Sequence, residues 1–162
     1  MIKKTLKTEI EIYDGLNELS KQHQDLMQQA LEVRDHAYAP YSKFKVGAAI
    51  LLDNGKVVTG SNQENASYPS GLCAERTAIY WAGANYPDAK IVSIAICASS
   101  IQQDNQEPIP PCGACRQAIA EYEQKQNTPI SIFFMGIKGK VVKVNALADI
   151  LPLAFDNKYL NF

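Results

Sequence analysis

Two cysteines three positions apart, in the stretch "PPCGACRQ", are the residues of this sequence whose spacing first suggests chemistry. Cys112 and Cys115 can bind one zinc ion, but zinc in proteins takes four ligands, or three ligands and a water molecule. A site with four protein ligands is structural, whereas a site with one open position can be catalytic. The function therefore depends on which residues complete the site.

A third cysteine, Cys73, stands at the beginning of the predicted helical stretch "CAERTAIYWAGA", just as Cys112 opens "CGACRQAIAEYE". The free N–H groups and partial positive charge of two helix N-termini favour thiolates over thiols. We therefore expect Cys73, Cys112 and Cys115 to bind one zinc ion and to leave its fourth position open. Glu75 lies in the first turn after Cys73, where a carboxylate can take a proton from a zinc-bound water molecule and pass it on. The pattern predicts a catalytic site with Glu75 as the acid and base.

The other candidate ligands fit the site less well. Cys97 lies inside the apolar stretch "SIAICAS", and we expect it to pack in the core. His23 falls on the apolar face of a helix and His36 near its end, and neither has ligand spacing with another candidate. A zinc ion with three thiolates carries a net negative charge, so a nearby cation is needed to keep its water acidic. Arg76, directly after Glu75, is the candidate cation.

Composition narrows the class of protein. The chain has 162 residues, 46% of them hydrophobic, and a net charge of −1, so a nucleic-acid partner is not expected. No apolar run approaches the roughly 20 residues of a membrane helix, so no membrane partner is expected either. Four cysteines without an export signal predict reduced thiols and a cytoplasmic location.

Hydrophobic periodicity predicts one long helix followed by elements in the order β-β-α-β-α-β-β. We expect an α/β fold, a three-layer α-β-α arrangement with a five-stranded mixed sheet. Residues 14–162 are predicted to form a single domain after an N-terminal extension, residues 1–13, whose structure the pattern does not assign. The predicted helices are 14–39, 73–84, 113–122 and 146–151, and the predicted strands are 44–52, 56–61, 90–98, 129–136 and 140–144.

Several blocks of the sequence resemble the zinc-dependent cytidine and deoxycytidylate deaminases. "CAE" (73–75) and "PCGAC" (111–115) match the two halves of the zinc-deaminase signature in its three-cysteine form. Cysteine in the first position is similar to the small homotetrameric cytidine deaminases. Matching blocks cover most of the chain: "AYAPYSKFKVGAA" (37–49), "SNQENAS" (61–67), "CAERTAI" (73–79), "PCGACRQ" (111–117) and "ILPLAF" (150–155).

The resemblance implies hydrolytic deamination of cytidine and deoxycytidine to uridine and deoxyuridine, with release of ammonia. In this chemistry zinc-bound hydroxide attacks C4 of the base while Glu75 shuttles a proton. The resemblance also implies one zinc ion per chain, a hydrogen bond from Arg76 to the cysteine sulfurs, and a homotetramer with active sites shared between subunits. The implied nucleoside contacts are Asn62 and Glu64 with the ribose 3′-hydroxyl, Phe44 beside the nucleoside, backbone groups around Ala74 with the base, and Phe155 in a neighbouring subunit's pocket.

Three alternatives remain open from the sequence. A related zinc aminohydrolase, such as a blasticidin-S-type deaminase, shares the "CAE" and "PCxxC" motifs, although the "NQENAS" block argues against it. A structural zinc module predicts a fourth protein ligand, from Cys97 or a histidine. A dithiol redox protein would use "CGAC" alone and leave Cys73 and Glu75 without a role.

Overall fold

A mixed β-sheet between layers of helices forms the framework of the protein. The computed structural model describes residues 1–103 and 105–160. The strands are β1 (Glu11–Tyr13), β2 (Phe44–Leu52), β3 (Val57–Ser61), β4 (Ile91–Ser100), β5 (Ser131–Met135) and β6 (Val141–Val144), and the α-helices are α1 (Lys21–Arg34), α2 (Ala74–Asn85) and α3 (Gly113–Gln126). Within these residues the six strands lie in the order β1-β6-β5-β4-β2-β3. β4 and β5 are parallel, and the other neighbouring strands are antiparallel.

The two faces of the sheet bury separate sets of apolar side chains. Because side chains alternate along a strand, Ala49 and Leu51 of β2 face α1 and pack with its Met27. Ala48 and Ile50 of the same strand face the opposite side, where α2 and α3 pack. This is the predicted three-layer α-β-α arrangement.

The predicted count of five strands is wrong, because β1 adds a sixth at the edge of the sheet. This strand pairs antiparallel with β6, placing Glu11 opposite Lys143 and Tyr13 opposite Val141. Lys143 Nζ lies 2.8 Å from a carboxylate oxygen of Glu11. The strand has only three residues and its partner lies far along the chain, so local periodicity in residues 1–13 could not reveal it.

The helices differ from their predicted bounds mainly at the first and last elements. α1 begins at Lys21 rather than at Asp14, because the side chain of Ser20 caps it by accepting a hydrogen bond from the N–H of His23. Near the C-terminus, a single 3-10 turn (Leu147–Asp149) takes the place of the predicted closing helix. Across the described part of the chain, none of the helices combines the length and apolar character needed to cross a membrane.

Strand direction brings the beginnings of α2 and α3 to the same edge of the sheet. β2 is antiparallel to both of its neighbours, so β3 and β4 run in the same direction. α2 follows β3 and α3 follows β4, and both helices therefore begin at the edge where these strands end. β2 begins at this edge too, since Phe44 pairs with Ser100 at the end of β4. In open α/β sheets such an edge is the usual place for a ligand site.

A glycine in β3 lets α2 approach the sheet closely. A Cβ atom on Gly60 would lie 2.7 Å from the backbone nitrogen of Ala78 and 2.8 Å from the carbonyl oxygen of Ala74. Both atoms belong to the backbone of α2, so a larger residue can be accommodated only if the whole helix moves.

We expect Gly60→Ala to push α2 outward and to cost about 1–3 kcal/mol of stability, a typical penalty for overpacking. The melting temperature should fall by several degrees, and the zinc content of the purified chain should fall with it, because α2 carries Cys73 to the site. Calorimetry and metal analysis measure the two effects. Gly113→Ala is the matched control, because a Cβ there meets nothing within 4 Å. Equal behaviour of the two variants would contradict this role of Gly60.

Candidate active site

Three cysteine sulfurs meet where α2 and α3 begin. Cys73 is the N-cap of α2, Cys112 is the N-cap of α3, and Cys115 lies in the first turn of α3. The Sγ atom of Cys112 lies 3.8 Å from that of Cys73 and 3.4 Å from that of Cys115. All three sulfurs lie within 4.8 Å of one another. Among the described residues they form the group of potential ligands that is close enough to bind one metal ion.

The spacing of the sulfurs fits a zinc ion. Zn–S bonds of about 2.3 Å in tetrahedral geometry place sulfur atoms about 3.8 Å apart. The distances from Cys112 to the other two sulfurs lie close to this value. Three thiolates fill three of the four positions of a tetrahedral zinc ion and leave one for a water molecule or a substrate. The donor set therefore matches a catalytic zinc site rather than a closed structural one.

The surroundings of Cys73 favour its negatively charged form. A hydrogen bond from Cys115, with a further contribution from the Arg76 guanidinium, lowers the pKa of Cys73 to about 5. The same hydrogen bond, together with burial, raises the pKa of Cys115. Arg76 Nη2 donates to Cys73 Sγ over 3.8 Å. The first peptide N–H groups of α2 and α3 add the positive ends of two helix dipoles.

Glu75 lies beside this cluster and is almost completely buried. Only 4% of the residue is exposed, although it belongs to the first turn of α2. Burial raises the pKa of its carboxyl group to about 6, and the negative charge of Cys73 contributes in the same direction. A buried carboxyl group next to a metal site is suited to accept and donate a proton.

A cavity of about 680 Å³ opens over the cysteines and Glu75, a size typical of sites for small molecules. Ile96 and Ala98 of β4 contribute apolar surface to its wall. Seven of the predicted site residues line the cavity: Phe44, Asn62, Glu64, Cys73, Glu75, Arg76 and Cys112. Cys115 and Ala74 are fully buried in the first turns of α3 and α2.

Asn62 and Glu64 are held in place by hydrogen bonds on the side of the cavity formed by β2 and β3. Asn62 Nδ2 donates to the carbonyl oxygen of Phe44 over 2.9 Å, and Asn62 Oδ1 accepts from the N–H of Val46 over 2.8 Å. Glu64 accepts from the N–H groups of Tyr41 and Ser42 over 2.9 and 3.2 Å. The side chains of both residues are therefore fixed before any ligand binds.

Phe155 does not line the cavity that contains the cysteines of its own chain. Its carbonyl oxygen accepts a hydrogen bond from Gln117 over 2.9 Å, and its ring stacks on Tyr159 with centroids 5.9 Å apart. The residue is 57% exposed. Phe155 is therefore the one predicted site residue that lies apart from the others within the described chain.

Several residues that line the cavity were missed by motif analysis. Tyr41 and Ser42 approach from the turn before β2, Tyr68 from the loop before α2, and Ile109 from the loop before α3. The rings of Tyr41 and Tyr68 lie 6.1 Å apart. The only sequence signal was that Tyr41 and Ser42 fall inside the matching block 37–49, which does not assign them a role.

The residues predicted to lie outside the metal site do so. Cys97 is buried in β4, where its thiol donates to the carbonyl oxygen of Gly136 and burial raises its pKa to about 11. His23 stacks on Phe133 with ring centroids 4.3 Å apart. Arg116, a further residue near the site, donates to the carbonyl oxygen of Pro111 and so holds the chain just before Cys112. A fourth protein ligand from Cys97 or His23 is therefore not available to the three sulfurs.

The sequence also matches the model of a known protein family. The sequence model of the "Cytidine and deoxycytidylate deaminase zinc-binding region" matches residues 20–128, more than half of the chain. The chain belongs to this family. Members of the family are zinc-dependent hydrolases, and the three cysteines provide one zinc site per chain.

Relatives that match nearly their full length support this assignment. A cytidine deaminase of Halalkalibacterium halodurans is 39% identical over 140 residues, which are 85% of this chain and 97% of the relative. The crystal structure of cytidine deaminase from Burkholderia pseudomallei is 40% identical, superposes with a TM-score of 0.72 and covers 82% of this chain and 98% of its own. The cytidine deaminase structure from Mycobacterium tuberculosis is 32% identical with a TM-score of 0.65, over 85% and 99% of the two chains.

We expect Arg76→Gln to leave the protein folded and to lower its zinc affinity about 10- to 100-fold, as is typical when a group that supports a metal ligand is removed. The physical reason is the loss of the guanidinium that donates to the Cys73 sulfur. Titration with a competing chelator measures the affinity. Lys56→Gln removes a positive charge from the exposed turn after β2 and serves as the control. Equal zinc affinity in the two variants would show that Arg76 does not support the thiolates.

Proposed function

We propose that this chain hydrolyses cytidine and deoxycytidine to uridine and deoxyuridine, releasing ammonia. The observation that carries the proposal is the opening of one cavity onto both a three-sulfur site with Glu75 and a preformed polar side with Asn62 and Glu64. The first group of residues supports hydrolysis, and the second supports recognition of a sugar. Relatives described as cytidine deaminases share the family and the fold.

Glu75 supplies the proton transfers of the proposed reaction. A zinc ion bound by the three cysteines would act as a Lewis acid and lower the pKa of a water molecule. The water oxygen adds to C4 of the base while Glu75 accepts a proton from it and delivers that proton to N3. Glu75 then passes the second proton of the water molecule to the amino group, so that the C4–N bond breaks and ammonia leaves. The buried position of Glu75 keeps bulk water away from these transfers.

Asn62 and Glu64 are proposed to bind the ribose 3′-hydroxyl. The Asn62 amide keeps one donor hydrogen and one acceptor lone pair after its bonds to Phe44 and Val46. The Glu64 carboxylate keeps an acceptor position after its bonds to the turn before β2. A hydroxyl group both donates and accepts, so it can use the two residues at once. The ring of Phe44 supplies apolar contact beside the sugar.

Backbone groups at the beginning of α2 are proposed to recognise the base. The first N–H groups of a helix have no partner within the helix, and Ala74 is the first residue of α2. An N–H group here can donate to the carbonyl oxygen at C2 of the pyrimidine, while the Glu75 carboxyl group contacts N3 and the amino group. Together they distinguish the amide edge of cytosine from an apolar ring.

We infer a homotetramer in which Phe155 completes the cavity of a neighbouring subunit. The ring of Phe155 is exposed and separate from the cavity of its own chain, as this arrangement requires. We also infer that residues 14–162 act as one catalytic domain, to whose sheet β1 of the N-terminal extension is added. A cytoplasmic location follows from the need to keep the three thiols reduced for zinc.

Glu75→Gln should bind zinc as the wild type does and should lose at least about 100-fold in kcat for cytidine, because general acid–base catalysis typically contributes that much or more. Uridine and ammonia are measured together with the zinc content. Glu121→Gln, on the exposed surface of α3, is the control and should keep full activity. Retained activity in Glu75→Gln, with zinc bound, would contradict the proposed proton transfer.

Mixing two inactive variants tests the shared site. Phe155→Ala chains should have low activity because each cavity lacks its aromatic contact. Glu75→Gln chains should have low activity because they lack the carboxyl group that transfers protons. Hybrid oligomers made by co-expression contain some sites with both residues intact, so their activity should exceed the sum of the parent activities. A simple average of the parents, in oligomers shown by light scattering to be mixed, would place Phe155 outside the neighbouring site.

A further inference from the structure

The turn before β2 contains a serine whose hydroxyl group links two of the proposed substrate contacts. Ser42 Oγ donates to Glu64 Oε1 and accepts from the N–H of Phe44 over 3.0 Å. The backbone N–H of Ser42 and that of Tyr41 both donate to the other carboxylate oxygen, Glu64 Oε2. Neither motif spacing nor the proposed chemistry assigns a role to this hydroxyl group.

The direction of the Ser42 hydroxyl proton follows from its two partners. A backbone N–H can only donate, so the Phe44 N–H must occupy a lone pair of Ser42 Oγ. An ionised carboxylate can only accept, so the single hydroxyl proton of Ser42 must point to Glu64. The hydrogen bond from Ser42 holds the pKa of the Glu64 carboxyl group below its ordinary value, which keeps the group ionised. The two bonds of the hydroxyl group therefore support each other.

The hydrogen bonds also determine which oxygen of Glu64 remains available. Each carboxylate oxygen has two lone pairs. Oε2 already accepts two N–H groups, whereas Oε1 accepts only the Ser42 hydroxyl group among the described residues. The remaining acceptor position thus lies on Oε1, the oxygen that Ser42 holds.

The backbone conformation of this turn is one that its residues do not favour intrinsically, so other contacts must stabilise it. Lys43, between Ser42 and Phe44, has a φ of 56°, in the left-handed region that residues other than glycine adopt infrequently. The bond from Phe44 N–H to Ser42 Oγ closes the turn around Lys43, and a bond from Ile101 N–H to Lys43 O over 2.8 Å ties it to the chain after β4. Ser42 thereby fixes the position of the Glu64 carboxylate relative to the beginning of β2.

We propose that Ser42 is a positioning residue that orients Glu64 Oε1 toward the 3′-hydroxyl group of the nucleoside, an inference that rests on the proposed function. Ser42 itself does not touch the reacting atoms. Its loss should therefore weaken binding of substrates that carry a 3′-hydroxyl group and should leave the chemical step unchanged.

The test compares cytidine with 3′-deoxycytidine in the wild type, Ser42→Ala and Ser42→Thr. In Ser42→Ala, KM for cytidine should rise about three- to tenfold, the range expected for one hydrogen bond, with kcat within about twofold of the wild type. KM for 3′-deoxycytidine should change less than about twofold, because that substrate lacks the group that Glu64 binds. Ser42→Thr restores the hydroxyl group and should restore KM for cytidine.

Controls separate this role from a general loosening of the turn. Ser70→Ala removes a hydroxyl group whose partner is Ser67, away from Glu64, and should affect neither substrate. Zinc content and melting temperature are measured for every variant, and Ser42→Gly removes the same hydroxyl group if Ser42→Ala does not fold. An equal rise in KM for both substrates, or no rise for either, would overturn the proposal. A wild-type chain that binds zinc but does not hydrolyse cytidine would instead overturn the proposed function itself.

Discussion

The rest of the structure depends on one constraint: the beginnings of two helices must place their cysteine sulfurs close enough to bind a single metal ion. The sulfur of Cys73 comes from α2 and those of Cys112 and Cys115 come from α3, yet neighbouring sulfurs must lie about 3.8 Å apart to share a zinc ion. This is possible because β3 and β4 run in the same direction and deliver both helices to one edge of the sheet. Gly60 allows α2 to lie close to β3, and Arg116 holds the chain before Cys112.

The same convergence creates an electrostatic problem that the surrounding residues reduce. Three thiolates and the Glu75 carboxyl group lie together, three of these four residues are at least partly buried, and a zinc ion neutralises only two negative charges. Arg76 and the dipoles of two helices provide the remaining positive potential at the sulfurs. Glu75 receives less of this compensation, and its pKa rises as a result of burial. The site thus separates a group of stabilised anions from a single carboxyl group that can exchange a proton.

The metal site was more predictable from the sequence than the sheet. Cys73, Cys112 and Glu75 stand at helix beginnings, and helix beginnings are marked locally by composition and by the end of a preceding loop. β1 was missed because it pairs with β6, more than a hundred residues away, and has no local sequence signal. The role of Ser42 was missed for a related reason. Its partners, Glu64 and Phe44, are brought together by the turn around Lys43, whose left-handed backbone no motif indicates.

The polar side of the cavity is determined within a single chain. The bonds among Asn62, Phe44, Ser42 and Glu64 connect β2 with the chain after β3 and fix the polar side before a ligand arrives. Such preorganisation lowers the entropic cost of binding, because these side chains are already ordered. Phe155, in contrast, lies outside the cavity of its own chain, stacks on Tyr159 and keeps more than half of its surface exposed. In the homotetramer proposed above, a neighbouring chain would add the ring of Phe155 to this cavity only after both chains had folded. One chain would then supply the polar contacts and another the aromatic contact.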